Sequence, residues 1–116
     1  LGVGVNGHLA FNEPQAENFN DFDLVKIVEL DLNTRCSQVD QNYFQSIENV
    51  PKYALTVTIP MILSVKRILC LATGENKAKI VKIMLQNNIS SKCPSSILRQ
   101  HSDTTLLLDK CSASLL

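Results

Sequence analysis

The 116 residues predict an α/β fold in which a mostly parallel sheet is covered by helices. Three observations carry that prediction. Short apolar runs alternate along the chain with segments whose apolar residues recur at helical spacing, the order of elements that builds parallel sheets. The run Arg67 to Ala72 is apolar after its first residue, as a strand buried on both faces reads. The 45% hydrophobic content and single-domain length allow a core, while no apolar run approaches the length that spans a bilayer.

The elements follow in order. Leu1 to Val5 reads as the end of a strand buried on both faces. Leu24 to Leu30 is short and β-branched, hence a strand, after which Asn33 or Thr34 caps a helix reaching about Phe44. Ala54 to Val57 is the next strand. Pro60 suits the first turn of a helix over Met61 to Val65. After the strand at Arg67 to Ala72, Gly74 opens a helix through Gln86. There Ile80, Val81, Met84 and Leu85 repeat at helical spacing while Lys79 and Lys82 lie off that stripe. Asn87-Asn88 closes it. Ser90 to Leu98, with Pro94, reads as a short helix start, and Thr104 to Leu108 as a last strand. The polar tract Gln15 to Asp23 lacks periodicity and reads as a mobile loop. Tyr43 and Tyr53 are expected to pack with their hydroxyl ends in water.

Charge and cysteine usage narrow the function. Eleven basic and eleven acidic side chains cancel, so no broad basic surface is expected, nucleic acid is not a partner, and any anion must be bound locally. Cys36, Cys70, Cys93 and Cys111 form neither a Cys-x-x-Cys pair nor a Cys/His cluster, so no metal site is predicted. Cys70 lies in an apolar run, where a thiol behaves as a small hydrophobe.

One loop concentrates chemistry. Gly2-Val3-Gly4-Val5-Asn6-Gly7-His8-Leu9-Ala10-Phe11-Asn12-Glu13-Pro14 follows the first apolar run, and in open α/β sheets ligands sit just past the carboxyl ends of strands. Glycine accepts positive φ and lets the backbone approach a ligand, so this loop can hold His8 and Glu13 at the mouth of a pocket. Histidine titrates near neutral pH, and a carboxylate five residues on can orient it or set its charge. The alternative is a turn that merely links a strand to a helix. Lys77 is the second candidate, because a cation in the first turn of a helix opposes the helix dipole unless an anion is bound there. Backbone N–H groups at the Gly74 turn and the Lys77 ammonium could together hold a phosphate; the alternative is an exposed lysine without a partner. His101 and Arg99 read as surface residues, with no catalytic role assigned.

Gly4-x-Asn6-Gly7-His8-Leu9-Ala10-Phe11-Asn12-Glu13-Pro14 resembles the signature of the glucosamine-6-phosphate deaminases, also called isomerases. Leu32-Asn33-Thr34-Arg35, Val50-Pro51-Lys52-Tyr53-Ala54-Leu55-Thr56, Gly74-Glu75-Asn76-Lys77-Ala78 and Leu98-Arg99-Gln100-His101 follow in the family's order and approximate spacing. The resemblance implies a three-layer α/β/α domain with a mostly parallel, Rossmann-like sheet, of which residues 1–116 form the C-terminal part. It implies conversion of glucosamine 6-phosphate and water to fructose 6-phosphate and ammonia, a small sugar phosphate as partner, no metal or organic cofactor, no membrane, and a cytoplasmic location. Self-association is left open. It assigns His8 to proton transfer at the ring oxygen, Glu13 to tuning His8, Asn6 to completing the cluster, Lys77 to the phosphate, and Gly4 and Gly7 to the substrate loop. The polar tract after the motif would form part of a lid. An aspartate in the family's earlier half moves the proton between C1 and C2, and no residue here can stand in for it.

Departures from the pattern mark where the resemblance thins. Many relatives carry aspartate at the position of Asn6. Gln15 follows Pro14 where a small residue is usual, and Thr58-Ile59-Pro60 stands where glycines are common. Asn42 precedes Tyr43-Phe44 where the family has a phosphate-binding arginine. A non-catalytic sugar-phosphate-binding domain of the same fold, or a 6-phosphogluconolactonase-type hydrolase, are the alternative readings.

Overall fold

A computed structural model describes residues 1–14 and 18–116. The first three residues of the tract expected to be a loop therefore lie outside the described residues. Its remainder, residues 18–23, runs through turns and bends, and Asp21 is paired with Lys26 at 2.7 Å.

In chain order the elements are β1 (Val25–Glu29), α1 (Leu32–Asp40), β2 (Tyr53–Val57), α2 (Ile59–Leu63), β3 (Ile68–Ala72), α3 (Ala78–Gln86) and β4 (Thr104–Leu108). Three 3-10 turns join them, at Ile47–Asn49, Glu75–Lys77 and Pro94–Gln100. The expected elements are present with shifted ends. α1 is capped by Asp31, whose carboxylate accepts the Asn33 N–H at 2.7 Å, and it stops at Asp40, short of Phe44. Asp31 takes the cap because it immediately precedes Leu32, the first helical residue, whereas Asn33 and Thr34 already lie inside the first turn. Gly74 opens a 3-10 turn, and the α-helix proper begins at Ala78.

β3 and β4 pair in parallel, from Ile68 opposite Thr104 to Ala72 opposite Leu108. The start of the chain runs alongside β3 in the same direction. Gly2 bridges Leu71, the Leu71 N–H donates to the Leu1 carbonyl at 2.9 Å, and the Leu1 amine donates to the Leu69 carbonyl at 2.8 Å. The Gly-rich loop consequently leaves from the carboxyl end of this sheet. β1 and β2 instead form a separate antiparallel ribbon, Val25 opposite Val57 and Glu29 opposite Tyr53. The long connection through α1 permits return in either direction, so alternation of elements does not settle this pairing.

The core sits on one face of the parallel sheet. Ile68, Cys70 and Ala72 pack with Ile80, Val81 and Met84 of α3, with Ile59 and Ile62 of α2, and with Ile97 and Leu98. Each fully buried aliphatic side chain contributes about 1.5–3 kcal/mol relative to exposure. The opposite face leaves Leu69, Leu71 and Leu107 exposed, and the ribbon likewise exposes Ile27, Tyr53 and Leu55. Parallel sheets are ordinarily covered on both faces. Among the described residues, the helices cover one. Tyr43 and Tyr53 do not pack as expected: they are 68% and 60% exposed, Tyr53 on the bare face of the ribbon.

Candidate active site

The loop after the first strand segment is closed on itself by two short bonds. Gly4 N–H donates to the His8 carbonyl and Gly7 N–H to the Gly4 carbonyl, each at 3.0 Å. Gly7 has φ +89°, and a Cβ there would lie 2.9 Å from Cys93 Sγ. A side chain at this position meets both backbone strain and a buried neighbour. At Gly4 the constraint is purely spatial, since a Cβ would overlap the His8 imidazole. The Ser95 N–H holds the Gly7 carbonyl at 2.9 Å. Farther on, Asn12 Nδ2 donates to the carbonyls of Leu9 (2.9 Å) and Val57 (2.8 Å), and Phe11 N–H to Thr56 Oγ1 (3.1 Å). Both ends of the loop are thereby fixed to the scaffold.

Glu13, His8 and Asn6 meet. The Glu13 carboxylate is 2% exposed. Its Oε2 accepts from Asn6 Nδ2 at 2.8 Å and lies 3.4 Å from His8 Nδ1. Asn6 Oδ1 accepts the His8 backbone N–H at 3.1 Å, so one amide side chain grips both partners. With Nδ1 turned to the carboxylate, Nε2 is the nitrogen left for a ligand. Glu13 Oε1 is buried without a hydrogen-bond partner among the described residues. Burial by itself would raise the Glu13 pKa, but hydrogen bonds from His8, Thr34 and Asn6 and the attraction of the His8 ring outweigh it and hold the carboxyl below its ordinary 4.5.

A pH dependence follows. Because the folded pKa lies below the unfolded one, the carboxylate's contribution to stability is complete above about pH 4.5 and is lost as pH falls through the folded value. Glu13→Gln should remove that part of the acid sensitivity, read as a shallower fall of the denaturation midpoint between neutral pH and pH 3.

Lys77 and His8 line one cleft of about 880 Å³, together with Gly4, Thr34, Thr73 and Asn76. The Lys77 ammonium donates to the Val3 carbonyl at 2.7 Å, and partial burial pushes its pKa down. It is therefore neither exposed nor partnerless. The Gly74 N–H, expected to be free for an anion, instead donates to the Asp109 carboxylate at 3.0 Å. Bonds from Ser112 and from Gly74 hold that carboxyl below its ordinary range. The chain's own acid thus occupies part of the turn that the sequence left open, because β4 ends beside it.

Thr34 was expected only as a helix cap. It is buried in the first turn of α1 with Oγ1 3.5 Å from His8 Nδ1. Its place in the Leu32-Asn33-Thr34-Arg35 segment was the available signal. Arg35 holds the carbonyls of Ile47 (2.8 Å) and Val50 (3.1 Å), and Arg99 holds those of Leu85 (2.9 Å) and Asn87 (2.6 Å), closing α3. His101 accepts the Asp103 N–H at Nδ1 (3.2 Å) and donates from Nε2 to the Val65 carbonyl (2.8 Å). These three hold structure. A smaller groove of about 320 Å³, lined by residues such as Met61, Ile62 and Val65, is apolar and contains neither the imidazole nor the carboxylate. All four cysteines are free, and among the described residues no helix is long and apolar enough to cross a membrane.

The family model for glucosamine-6-phosphate isomerases/6-phosphogluconolactonase matches residues 1–107. The chain is 45% identical over 115 residues to the glucosamine-6-phosphate deaminase of Bacillus pumilus, covering 99% of this chain and 46% of that one. Against glucosamine-6-phosphate deaminase 1 of Bacillus subtilis the identity is 46% with the same coverage. A solved structure of a monomeric glucosamine-6-phosphate deaminase superposes with TM-score 0.92 at 46% identity, covering 100% of this chain and 46% of that chain. The 6-phosphogluconolactonase of Trypanosoma brucei, at 23% identity and TM-score 0.74, shares the fold. The chain spans about half the length of the curated relatives it matches.

Proposed function

The chain belongs to the glucosamine-6-phosphate isomerase/6-phosphogluconolactonase family, and from that premise we propose that it is the C-terminal part of a glucosamine-6-phosphate deaminase of amino-sugar catabolism. The reaction converts glucosamine 6-phosphate and water to fructose 6-phosphate and ammonia. The observation that carries the reading is the single cleft bounded by an imidazole, which a buried carboxylate orients, and by a lysine.

In this reading His8 Nε2 transfers a proton to the ring oxygen as the pyranose opens. Glu13 stabilises the protonated imidazole and fixes its orientation, and Asn6 locks the carboxylate to the loop. Lys77 exchanges the Val3 carbonyl for the substrate phosphate and so sets the reacting carbons at the pair, which is catalysis by positioning. The base that moves the proton between C1 and C2 comes from the preceding part of the enzyme. That part also covers Leu69, Leu71 and Leu107 on the bare sheet face, completing three layers. Free thiols at all four cysteines support a reducing, cytoplasmic setting.

A coupled ammonia assay on the complete polypeptide tests the reading. Ammonia release from glucosamine 6-phosphate is expected, and none from residues 1–116 alone. Binding of the sugar phosphate without ammonia release would leave a binding module in place of an enzyme. Lys77→Met in the complete polypeptide should raise KM about 10- to 100-fold with a smaller change in kcat, since a charged hydrogen bond contributes about 1.5–3 kcal/mol.

A further inference from the structure

We infer that Thr34 is a positioning residue for the imidazole, its hydroxyl standing with the Glu13 carboxylate beside His8 Nδ1 in a network that holds His8 in the Nδ1–H form. The catalytic consequence rests on the reading of His8 and Glu13 given above. The network itself does not.

The geometry assigns the ring hydrogen. His8 Nδ1 lies 3.4 Å from Glu13 Oε2 and 3.5 Å from Thr34 Oγ1, so its one N–H is shared between two acceptors. Thr34 is also among the groups that hold the Glu13 pKa down, while Oε1 itself is buried with no hydrogen-bond partner among the described residues. Thr34 is 3% exposed although it lines the cleft. The Asp31 cap fixes the first turn of α1, and a β-branched side chain has few rotamers there, so the hydroxyl is held in place before any ligand arrives. The other titratable side chains lining the cleft are those of Cys36, Asp40 and Lys77.

The test is an NMR titration of the complete polypeptide with nitrogen-15-labelled histidine. Neutral His8 should be protonated at Nδ1, whereas His101, set by Asp103 and Val65, is protonated at Nε2 and serves as the marker of an intact fold. In Thr34→Val the Nδ1–H population of His8 should fall and the Glu13 midpoint should move up, with His101 unchanged. Thr34→Ser should restore both. An Nε2–H form of His8 in the unaltered chain overturns the inference, as does a Val variant with unchanged His8 and Glu13. If the Val variant loses the His101 marker too, the form found in the unaltered chain and in Thr34→Ser decides. In the complete polypeptide Thr34→Val should lower kcat about tenfold at constant KM, with Ser restoring it. Failure of that last readout alone counts against the catalytic reading and leaves the network standing.

Discussion

Replacing His8 by Gln, or Glu13 by Gln, in the complete polypeptide is expected to slow ammonia release from glucosamine 6-phosphate by about 10²- to 10⁴-fold, the usual span for loss of a positioned acid–base group. The two variants should differ in character. His8→Gln removes the proton donor, so its residual rate should show no titration attributable to the imidazole. Glu13→Gln keeps the ring but removes the charge that faces Nδ1 at 3.4 Å. The ring then loses the group that orients it, so kcat should fall while KM changes little. Unchanged ammonia release in both variants would remove the assigned roles and, with them, the case for this cleft as the site of reaction. Stability and rate can be separated because Glu13 is buried: thermal melts at pH 7 measure the cost to the fold directly, and the rate is compared only below the lower melting range.

The second large effect concerns the two glycines of the loop, and it splits activity from stability. Gly4→Ala should leave the fold largely intact while reducing kcat about 100-fold, because the new methyl occupies the space of the imidazole and His8 can swing away, being only partly buried. Misplacement of a reacting group by about 1 Å suffices for a loss of that size. Gly7→Ala should instead destabilise by about 1–3 kcal/mol, since φ of +89° is costly for any residue with a Cβ. Cys93 Sγ, 2.9 Å from the new atom, sits in a buried turn that cannot retreat freely. Chemical denaturation distinguishes the two: a lowered midpoint for Gly7→Ala and a near-native one for Gly4→Ala. Reversal of that order would mean that the ring against Gly4 is the more rigid partner.

Much of this molecule is legible in one dimension. The strands β1 to β4 and the apolar stripe of α3 follow from β-branched runs and from helical spacing, both of which are properties of neighbouring residues. His8, Glu13 and Asn6 belong to a segment short enough that a glycine turn must bring them near one another, so their candidacy needed no knowledge of the rest of the chain. The shifted ends of the elements have equally local causes. Asp31 outcompeted Asn33 and Thr34 for the cap of α1, and Gly74 led into a 3-10 turn before the helix.

What the sequence alone determined is therefore the alternation of elements, the loop and its acid–base residues, because those depend on interactions within a turn or two of the backbone. Only the tertiary structure decided that β1 and β2 run antiparallel, that Thr34 stands beside a histidine 26 positions away, and that Lys77 reaches the Val3 carbonyl. It also decided that Asp109 takes the amide of Gly74. Each of these joins residues far apart in the chain, and such pairings are selected by how whole faces pack rather than by any preference that one stretch expresses on its own.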